Sequence, residues 1–374
     1  MLPPEIIDKI LGLIHSNSTL RTCSLVSRSW LPASRARLHR SLSISKSDIR
    51  RLVNLLKNPE NTFTPILHTL ELDTDPDDSA LNERLPLLFA RLYTFAYLET
   101  LVLCGAQLYC DFKFPLVPSV VSMELTAVRA HSLPIFTSFL SHFPNLNRLK
   151  ITRTPIGPGT SFQTDAPYHR LALDKLSIDV SSIGAALAWL ASSATAPIVQ
   201  TLDISSTQHP PTYAIIQRVS AYLRWLGPRL THFCITLPSF TGPLDFSVSS
   251  SLSSLTVHDA LCLTPDSSAS SASSKWVVHI APTVPSFLSL FNNTSALTTL
   301  TFPISTSPLN CRTGTGAYVD DLARCLSALQ LKSLHLKLEG DRSADARDAV
   351  RMTFVDRLPP AAARLVVFVD GSGM

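Results

Sequence analysis

Charged side chains are scarce in this chain of 374 residues: Asp, Glu, Lys and Arg make up only 16% of it, whereas 45% of its residues are hydrophobic. This composition excludes a largely disordered protein, because disorder requires low hydrophobicity and high net charge. The length predicts two or three domains. The charges are also unevenly placed, since residues 1–60 hold ten Lys or Arg against four Asp or Glu, while the whole chain carries +4. This basic N-terminal part predicts either an acidic partner or a solvated, arginine-rich surface.

The sequence lacks the long apolar runs of a membrane protein. Its longest uncharged stretches, 180–202 and 276–311, are broken by Ser, Thr, Asn or Pro, and neither offers the about 20 mostly apolar residues that a membrane span needs. We expect no secretory signal, because Pro3, Pro4 and Glu5 stand where a basic segment should be. Seven cysteines without regular spacing fit reduced thiols. These features predict a cytoplasmic or nuclear protein that does not act at a membrane.

Motifs for catalysis or cofactor binding are missing as well. The sequence holds no Gly-x-Ser-x-Gly, Walker, dinucleotide-binding or His-Glu-x-x-His motif. Residues 157–160, Gly-Pro-Gly-Thr, are too few for a phosphate loop, and the proline removes a donor, so they predict a turn. Cys104 and Cys110 lack Cys-x-x-Cys spacing, which argues against zinc. We predict no catalytic residue, metal, cofactor or nucleic-acid partner; an unrecognised hydrolase is the remote alternative, which a clustered nucleophile, base and acid would favour.

Residues 2–38 predict three short helices. Pro3 and Pro4 can occupy the first turn of a helix, which needs no backbone donor. Ser18 is a candidate N-cap for a second helix, and Pro32 opens a third. At 100° per residue, the apolar side chains of the first helix fall in one arc of about 160°: Ile6, Ile7, Ile10, Leu11, Leu13 and Ile14. Three helices of about 40 residues cannot bury so wide an arc by themselves.

The second predicted helix carries one apolar residue on its polar side. Leu20, Cys23, Val26 and Trp30 share a face, whereas Leu25 lies among Arg and Ser residues. An apolar side chain on a polar helical face is exposed unless a partner covers it. The two helices therefore predict a surface covered either by another protein or by the rest of the chain.

This segment resembles the F-box, the motif that docks onto the Skp-type adaptor of cullin-RING (SCF) ubiquitin ligases. Leu2-Pro3-x-Glu5-Ile6-Ile7-x-x-Ile10-Leu11 resembles its opening helix, and Cys23-x-x-Val26-x-Arg28-x-Trp30 resembles the signature of its second helix. The resemblance implies an acidic adaptor, and through it a cullin, as partners. By position it implies adaptor contacts from Leu2, Pro3, Ile6, Ile10, Leu11, Val26 and Trp30, to which the predicted exposure of Leu25 adds one more.

Beyond residue 60 the pattern Leu-x-x-Leu-x-Leu recurs. Its units begin 22 to 34 residues apart, except for a gap of 45, at Leu67, Leu98, Val120, Leu146, Leu173, Val199, Leu230, Leu252, Leu297 and Leu331. Helical periodicity lies between several of them, over 133–143, 183–190, 215–226 and 319–329. Strand alternating with helix at this period is typical of leucine-rich repeats. A doubly wound sheet is the alternative, but the Gly-rich phosphate loop that usually follows its first strand is missing from the sequence.

The sequence therefore predicts an α/β protein with an F-box-like three-helix module over residues 1–45 and a degenerate leucine-rich-repeat solenoid over 46–374. We predict a substrate-recognition subunit of an SCF-type E3 ubiquitin ligase that holds adaptor and protein target together and so raises their effective concentration. The alternative is a leucine-rich interaction scaffold whose N-terminal helices are only a cap. An unidentified target should contact side chains between the inward leucines: Glu71, Asp73, Lys150, Thr152, Asp203, Ser205, His335 and Lys337.

Overall fold

The computed structural model describes residues 2–14, 16–45, 48–58, 64–75, 84–109, 114–157, 171–179, 182, 189–190, 197–205, 213–236, 244–265, 276–291, 296–305, 318–339 and 344–370. They lie within two compact units, Met1–Leu171 and Ala172–Met374. Each unit combines helices with a mostly parallel sheet. The chain is therefore an α/β protein, as its sequence predicts.

Three helices open the first unit: α1 (Pro4–Gly12), α2 (Asn17–Val26) and α3 (Leu31–Leu38). Proline lies in the first turn of α1 and of α3, where its missing donor costs nothing. The N-cap of α2 is Ser16 and not the predicted Ser18, because the backbone N–H of Thr19 donates to the Ser16 hydroxyl at 3.4 Å. The three predicted helices are thus present, with one cap two residues earlier.

The rest of the first unit alternates strands with helices and short connections. Five strands form a parallel sheet in chain order: β1 (Ser41–Ile44), β2 (Thr69–Asp73), β3 (Thr100–Cys104), β5 (Ser122–Thr126) and β7 (Arg148–Thr152). Two short strands, β4 (Gln107–Leu108) and β6 (Arg129–Ala130), pair separately. The helices between them are α4 (Ile49–Leu56), α5 (Leu85–Phe89) and α6 (Leu133–Ser141), with 3-10 turns at Thr64–Ile66 and Leu92–Thr94.

The leucine pattern sets the register of this sheet. Leu70, Leu101, Met123 and Leu149 are neighbours across β2, β3, β5 and β7, and all four are buried. Because side chains alternate across a strand, the third leucine of each Leu-x-x-Leu-x-Leu repeat, two residues after the second, lies in another buried row. Shifting one strand by one residue would expose its leucines, so burial fixes the pairing.

A left-handed residue follows three of these strands. Gly105 follows β3, Ala127 follows β5 and Arg153 follows β7, and each has a φ between 49° and 71°. These three residues occupy the same position in successive repeats, and after them the chain continues into β4, β6 and the isolated bridge at Ile156, respectively. The hydroxyl of Thr154 donates to the carbonyl of Thr152 at 3.1 Å.

The second unit repeats the arrangement. Seven parallel strands follow each other in chain order: β8 (Ala172–Asp179), β9 (Ile198–Ser205), β10 (His232–Thr236), β11 (Ser254–His258), β14 (Thr299–Ser305), β15 (Ser333–Glu339) and β16 (Val366–Asp370). Its helices are α7 (Tyr213–Leu226), α8 (Thr283–Ser289), α9 (Val319–Ala328), α10 (Ala344–Thr353) and α11 (Pro360–Ala363), with 3-10 turns at Gly227–Arg229 and Val355–Arg357.

The 45-residue gap between the Leu-x-x-Leu-x-Leu repeats that begin at Leu252 and Leu297 contains a β-hairpin. Its strands β12 (Leu261–Pro265) and β13 (Trp276–Ile280) are antiparallel, and β12 also pairs in parallel with the end of β14. On β12, Cys262 is disulfide-bonded. The expectation that the cysteines are all reduced is therefore wrong at this residue, while Cys23, Cys104, Cys234 and Cys325 are free thiols.

Strands occur at all ten predicted repeat positions, so the strand prediction is confirmed. The predicted helices at 133–143, 215–226 and 319–329 correspond to α6, α7 and α9. The one predicted at 183–190 lies outside the described residues except for its last two. Within each unit the described main strands follow chain order without reversal, which excludes the doubly wound alternative there, because that fold reverses strand order at its centre.

Candidate docking surface

The three N-terminal helices share a small core of their own. Ile7 and Leu11 of α1 and Leu20 of α2 are buried, and Trp30 packs against them together with other half-buried side chains. Each fully buried aliphatic side chain contributes about 1.5–3 kcal/mol, so three of them stabilise only a small module. Arg37 ties α3 to α1 through its guanidinium, which donates to the Asp8 carboxylate at 3.2 Å and to the Asp8 carbonyl at 3.0 Å.

The apolar arc of α1 splits into two adjacent stripes. Ile7 and Leu11 form the inner stripe and are buried, and the half-buried Ile14 continues it. The outer stripe consists of the residues one position before each of these, Ile6, Ile10 and Leu13, with Leu2 ahead of the helix, and all four are exposed. The helix thus carries more apolar surface than its own module covers, as its sequence predicts.

The end of α2 adds two exposed apolar residues. Leu25 is 84% exposed and Val26 is 62% exposed. Exposure of Leu25 follows from its place on the polar side of α2. Val26 lies about 120° around the helix from the buried Leu20. It is also the last helical residue, and the chain leaves in an extended conformation at Ser27. With no further helical turn beyond it, Val26 stays uncovered.

The predicted adaptor contacts therefore separate into two groups. Leu11 is 0% exposed and Trp30 is half-buried, so both stabilise the module from inside. The remaining predicted residues are exposed: Leu2, Pro3, Ile6, Ile10, Leu25 and Val26. The sequence-based site omits Leu13, which is 80% exposed. Its position in the apolar arc, directly before the inward Ile14, is the signal that identifies it.

Two exposed arginines stand near the apolar end of α2 in the sequence. Arg21 and Arg28 on and after α2 are exposed, and neither makes an ion pair within the described residues. Arg37, in contrast, is held by Asp8. The helices therefore combine an uncovered apolar surface with unpaired guanidinium groups, an arrangement that favours an acidic, partly apolar protein surface as partner.

A second candidate surface is the polar face of the first-unit sheet. Acidic and basic side chains lie side by side there, and Lys150 on β7 donates to Glu124 on β5 at 3.1 Å. Burial raises the pKa of the Cys104 thiol, and the nearby carboxylates of Asp73 and Glu71 raise it further. The predicted target-facing residues Glu71, Asp73, Lys150 and Thr152 all lie at least partly exposed on this face.

In the second unit the corresponding row is more neutral. Ser177 on β8 donates to Asp203 on β9 at 3.2 Å, and Cys234 lies beside Asp203 in the register. Burial, and then the Asp203 carboxylate, raise the pKa of the Cys234 thiol to about 11. The described residues include no group of three His, Cys, Asp or Glu side chains that could hold a metal ion.

No protein-family model and no curated protein matches the chain. Among the helices of the described segments, none is long and apolar enough to cross a membrane.

Proposed function

We propose that this chain is an F-box-type substrate receptor, in which the N-terminal helices dock onto a Skp-type adaptor and a repeat domain captures a protein target for ubiquitination. The receptor needs no catalytic residue of its own, because it acts by holding the target near the ubiquitin-charged enzyme of the cullin complex. Such ligases work in the cytoplasm and nucleus, so we propose that location. The boundary between docking module and repeat domain is proposed at residues 45 and 46.

The observation that carries this proposal is the pair of stripes on α1. A helix that served only its own module would need the inner stripe of Ile7 and Leu11 and no more. The outer stripe keeps Ile6, Ile10 and Leu13 in water, where apolar surface costs free energy unless a partner covers it. Together with Leu25 and Val26, the outer stripe supplies the contact surface that the F-box resemblance requires.

The repeated strands support a solenoid for target capture. A backbone carbonyl just before several of the strands accepts from two successive N–H groups of the next repeat: the His68 carbonyl accepts from Glu99 and Thr100, at 2.9 Å each. The Glu99 carbonyl then accepts from Val121 and Ser122 in the same way. Chain-ordered strands joined by a repeated contact are what a stack of leucine-rich units requires, since each unit buries its apolar face against its neighbours.

A pull-down of the full chain with a purified Skp-type adaptor tests the proposal. Leu25→Asp and Ile10→Asp should each weaken binding by at least about 30-fold, because hot-spot residues contribute about 2 kcal/mol or more. Leu87→Asp, at an exposed leucine of α5, is the matched control and should bind as the unchanged chain does. Binding by the Leu25 and Ile10 variants equal to that of the Leu87 variant would remove this surface from consideration.

A scaffold capped by the N-terminal helices is the second candidate, and one contact favours it. The Arg40 carbonyl, just after α3, accepts from the N–H groups of His68 and Thr69 at 2.8 and 3.0 Å. This is the same double contact that joins successive repeats, so the helices lead directly into the sheet. Deletion of residues 1–40 discriminates: loss of a cap should unfold or aggregate the remaining chain, whereas loss of a docking module should leave it folded.

A further inference from the structure

A solvent-open groove of about 830 Å³ lies between α3 and α4 in the first unit. Its volume is within the range of about 300–1,000 Å³ that is common for ligand sites. The groove does not include the outer stripe of α1 or the exposed end of α2. It is therefore separate from the proposed adaptor surface.

Both walls of the groove are helix faces with regular spacing. Pro32, Arg35, Ala36 and His39 line it from α3, at the i, i+3, i+4 and i+7 positions that share one side of a helix. The α4 wall has the same spacing, from Asp48 through Arg51 and Leu52 to Leu55. Over this length each wall runs for about 10 Å, or two helical turns.

The floor of the groove is apolar, because Ile44 of β1 and Leu52 of α4 line it and are buried, and Leu42 of β1 is half-buried. Leu55 is 54% exposed because it lies beside Arg51 and Asn54 on the polar side of α4. Ala36 on the α3 wall is small and exposed, so its side chain fills little of the groove. The groove is open to water along an apolar surface that the described chain does not cover.

The rim of the groove is basic. Arg35 is exposed and makes no ion pair within the described residues. Asp48 is the single acidic side chain in the lining; it is already bound by Arg51 at 3.1 Å and accepts from the Ser45 hydroxyl at 3.3 Å. The positive charge of Arg35 therefore has no counterpart in the groove.

We propose that this groove binds a short acidic segment of a partner protein, whose aliphatic side chains enter between Ala36 and Leu55 while its carboxylates face Arg35 and Arg51. Two helical walls, each about two turns long, suit a chain segment that lies along the groove, with apolar residues at helical spacing. The unpaired guanidinium of Arg35 at the rim selects acidic over basic segments, because a lysine in the same place would meet like charge.

Fluorescence anisotropy on the full chain tests this with two labelled peptides of about 14 residues, long enough to form helix on binding. Both carry leucine at helical spacing, and they differ only in having glutamate or lysine at the other positions. The acidic peptide should bind and weaken as salt is raised. The basic peptide should bind about tenfold more weakly or not at all. Equal affinity for both peptides, or none for the acidic one, would overturn the proposal.

Variants locate the binding to the groove. Arg35→Glu should weaken the acidic peptide by about threefold to tenfold, and Ala36→Trp should abolish its binding by filling the space beside Leu55. Arg50→Glu is the matched control, because it makes the same charge change on α4 at a residue that does not line the groove. If Arg50→Glu lowers the affinity for the acidic peptide as much as Arg35→Glu does, net charge alone explains the effect and the proposed site is contradicted.

Two further readouts separate this proposal from others. The Arg35 and Ala36 variants should keep their circular dichroism spectra and their adaptor pull-down, since neither residue lies on the proposed adaptor surface. If Arg35→Glu loses its fold, Arg35→Gln takes its place, because it removes the charge without reversing it. Unchanged peptide binding by the folded Arg35→Gln variant would contradict the site. Dodecanoate serves as a small anionic probe. Its binding is read from displacement of an apolar fluorescent dye. If dodecanoate displaces the dye and the acidic peptide does not bind, the groove takes small amphiphiles and the peptide proposal is overturned.

Discussion

Replacing Leu11 by alanine should unfold the three N-terminal helices while the sheet of the first unit stays folded. Leu11 is 0% exposed and belongs to the small cluster formed with Ile7 and Leu20. This cluster is separate from the leucine rows of the sheet. Loss of one of its three central side chains therefore removes a large share of what holds these helices together.

The magnitude follows from burial. Leu→Ala in a core costs about 2–5 kcal/mol, and the lower part of that range applies where neighbours can move into the space. Ile14 and Trp30 are half-buried and can do so, which suggests about 2–3 kcal/mol for Leu11→Ala. The population of molecules with open helices should rise by about 30- to 150-fold. Leu13→Ala on the same helix should change it little, because Leu13 is 80% exposed.

Native-state hydrogen exchange read by mass spectrometry measures this directly, since local opening sets the exchange rate of each protected amide. Amides of α1 to α3 should exchange faster in Leu11→Ala than in Leu13→Ala, and amides of β3 to β7 should be equal in both. If the helices of the two variants exchange alike, burial of Leu11 does not stabilise them. If the sheet loses as much protection as the helices, the helices have no core of their own.

Three further predictions concern the repeats. Gly157→Ala should lower the melting temperature, because a Cβ there would lie 2.5 Å from the His131 carbonyl oxygen, a clash that costs about 1–3 kcal/mol. Gly12→Ala is the control and should not lower it, since a Cβ at Gly12 would meet only the flexible end of an arginine. Equal melting temperatures of the two variants would contradict the close approach at Gly157. Thr74→Val should cost about 0.5–1.5 kcal/mol in denaturant titration, since its hydroxyl donates at 2.8 Å to a carbonyl of the next strand; an unchanged midpoint would show that this bond adds nothing. The folded-state pKa of the Cys234 thiol, about 11, lies above its ordinary value of 9.0, so its contribution to stability is complete below about pH 9 and declines as the pH rises toward 11; the stability difference between the chain and Cys234→Ala should shrink over that interval, and a constant difference would refute the shift.

The repeat pattern made the ten main strands predictable, but the two end strands were missed for a physical reason. Strand β1 pairs with β2 through Leu42 and Ile44, and β16 pairs with β15 through Val366 and Phe368. Both therefore fit the second and third leucine positions of a unit. Three residues before Leu42 stands a histidine, His39, so the first position of that unit has no large apolar side chain. End units are commonly atypical because they have a neighbour on only one side.

The hairpin β12–β13 could not be predicted from periodicity either. Its strands lie in the gap of the repeat, and antiparallel pairing of Leu261 with Ile280 joins residues on either side of a serine-rich stretch. Alternation within each short run predicts a strand at most. Which strand pairs with which depends on contacts between residues distant in sequence.

The sequence by itself determined the features that repeat along the chain: the positions of the main strands, the register that their leucines impose, and the three N-terminal helices with an apolar arc too wide for their size. These are local or periodic properties, so a pattern at 3.6 or 2 residues is sufficient to predict them. Tertiary structure alone decided which half of that arc is buried. It placed Leu11 inside and Ile10 outside, exposed Val26 at the end of its helix, and left a basic, apolar-floored groove between α3 and α4. One residue of rotation on a helix separates a core side chain from a contact side chain, and only packing against α2 and α3 selects between them.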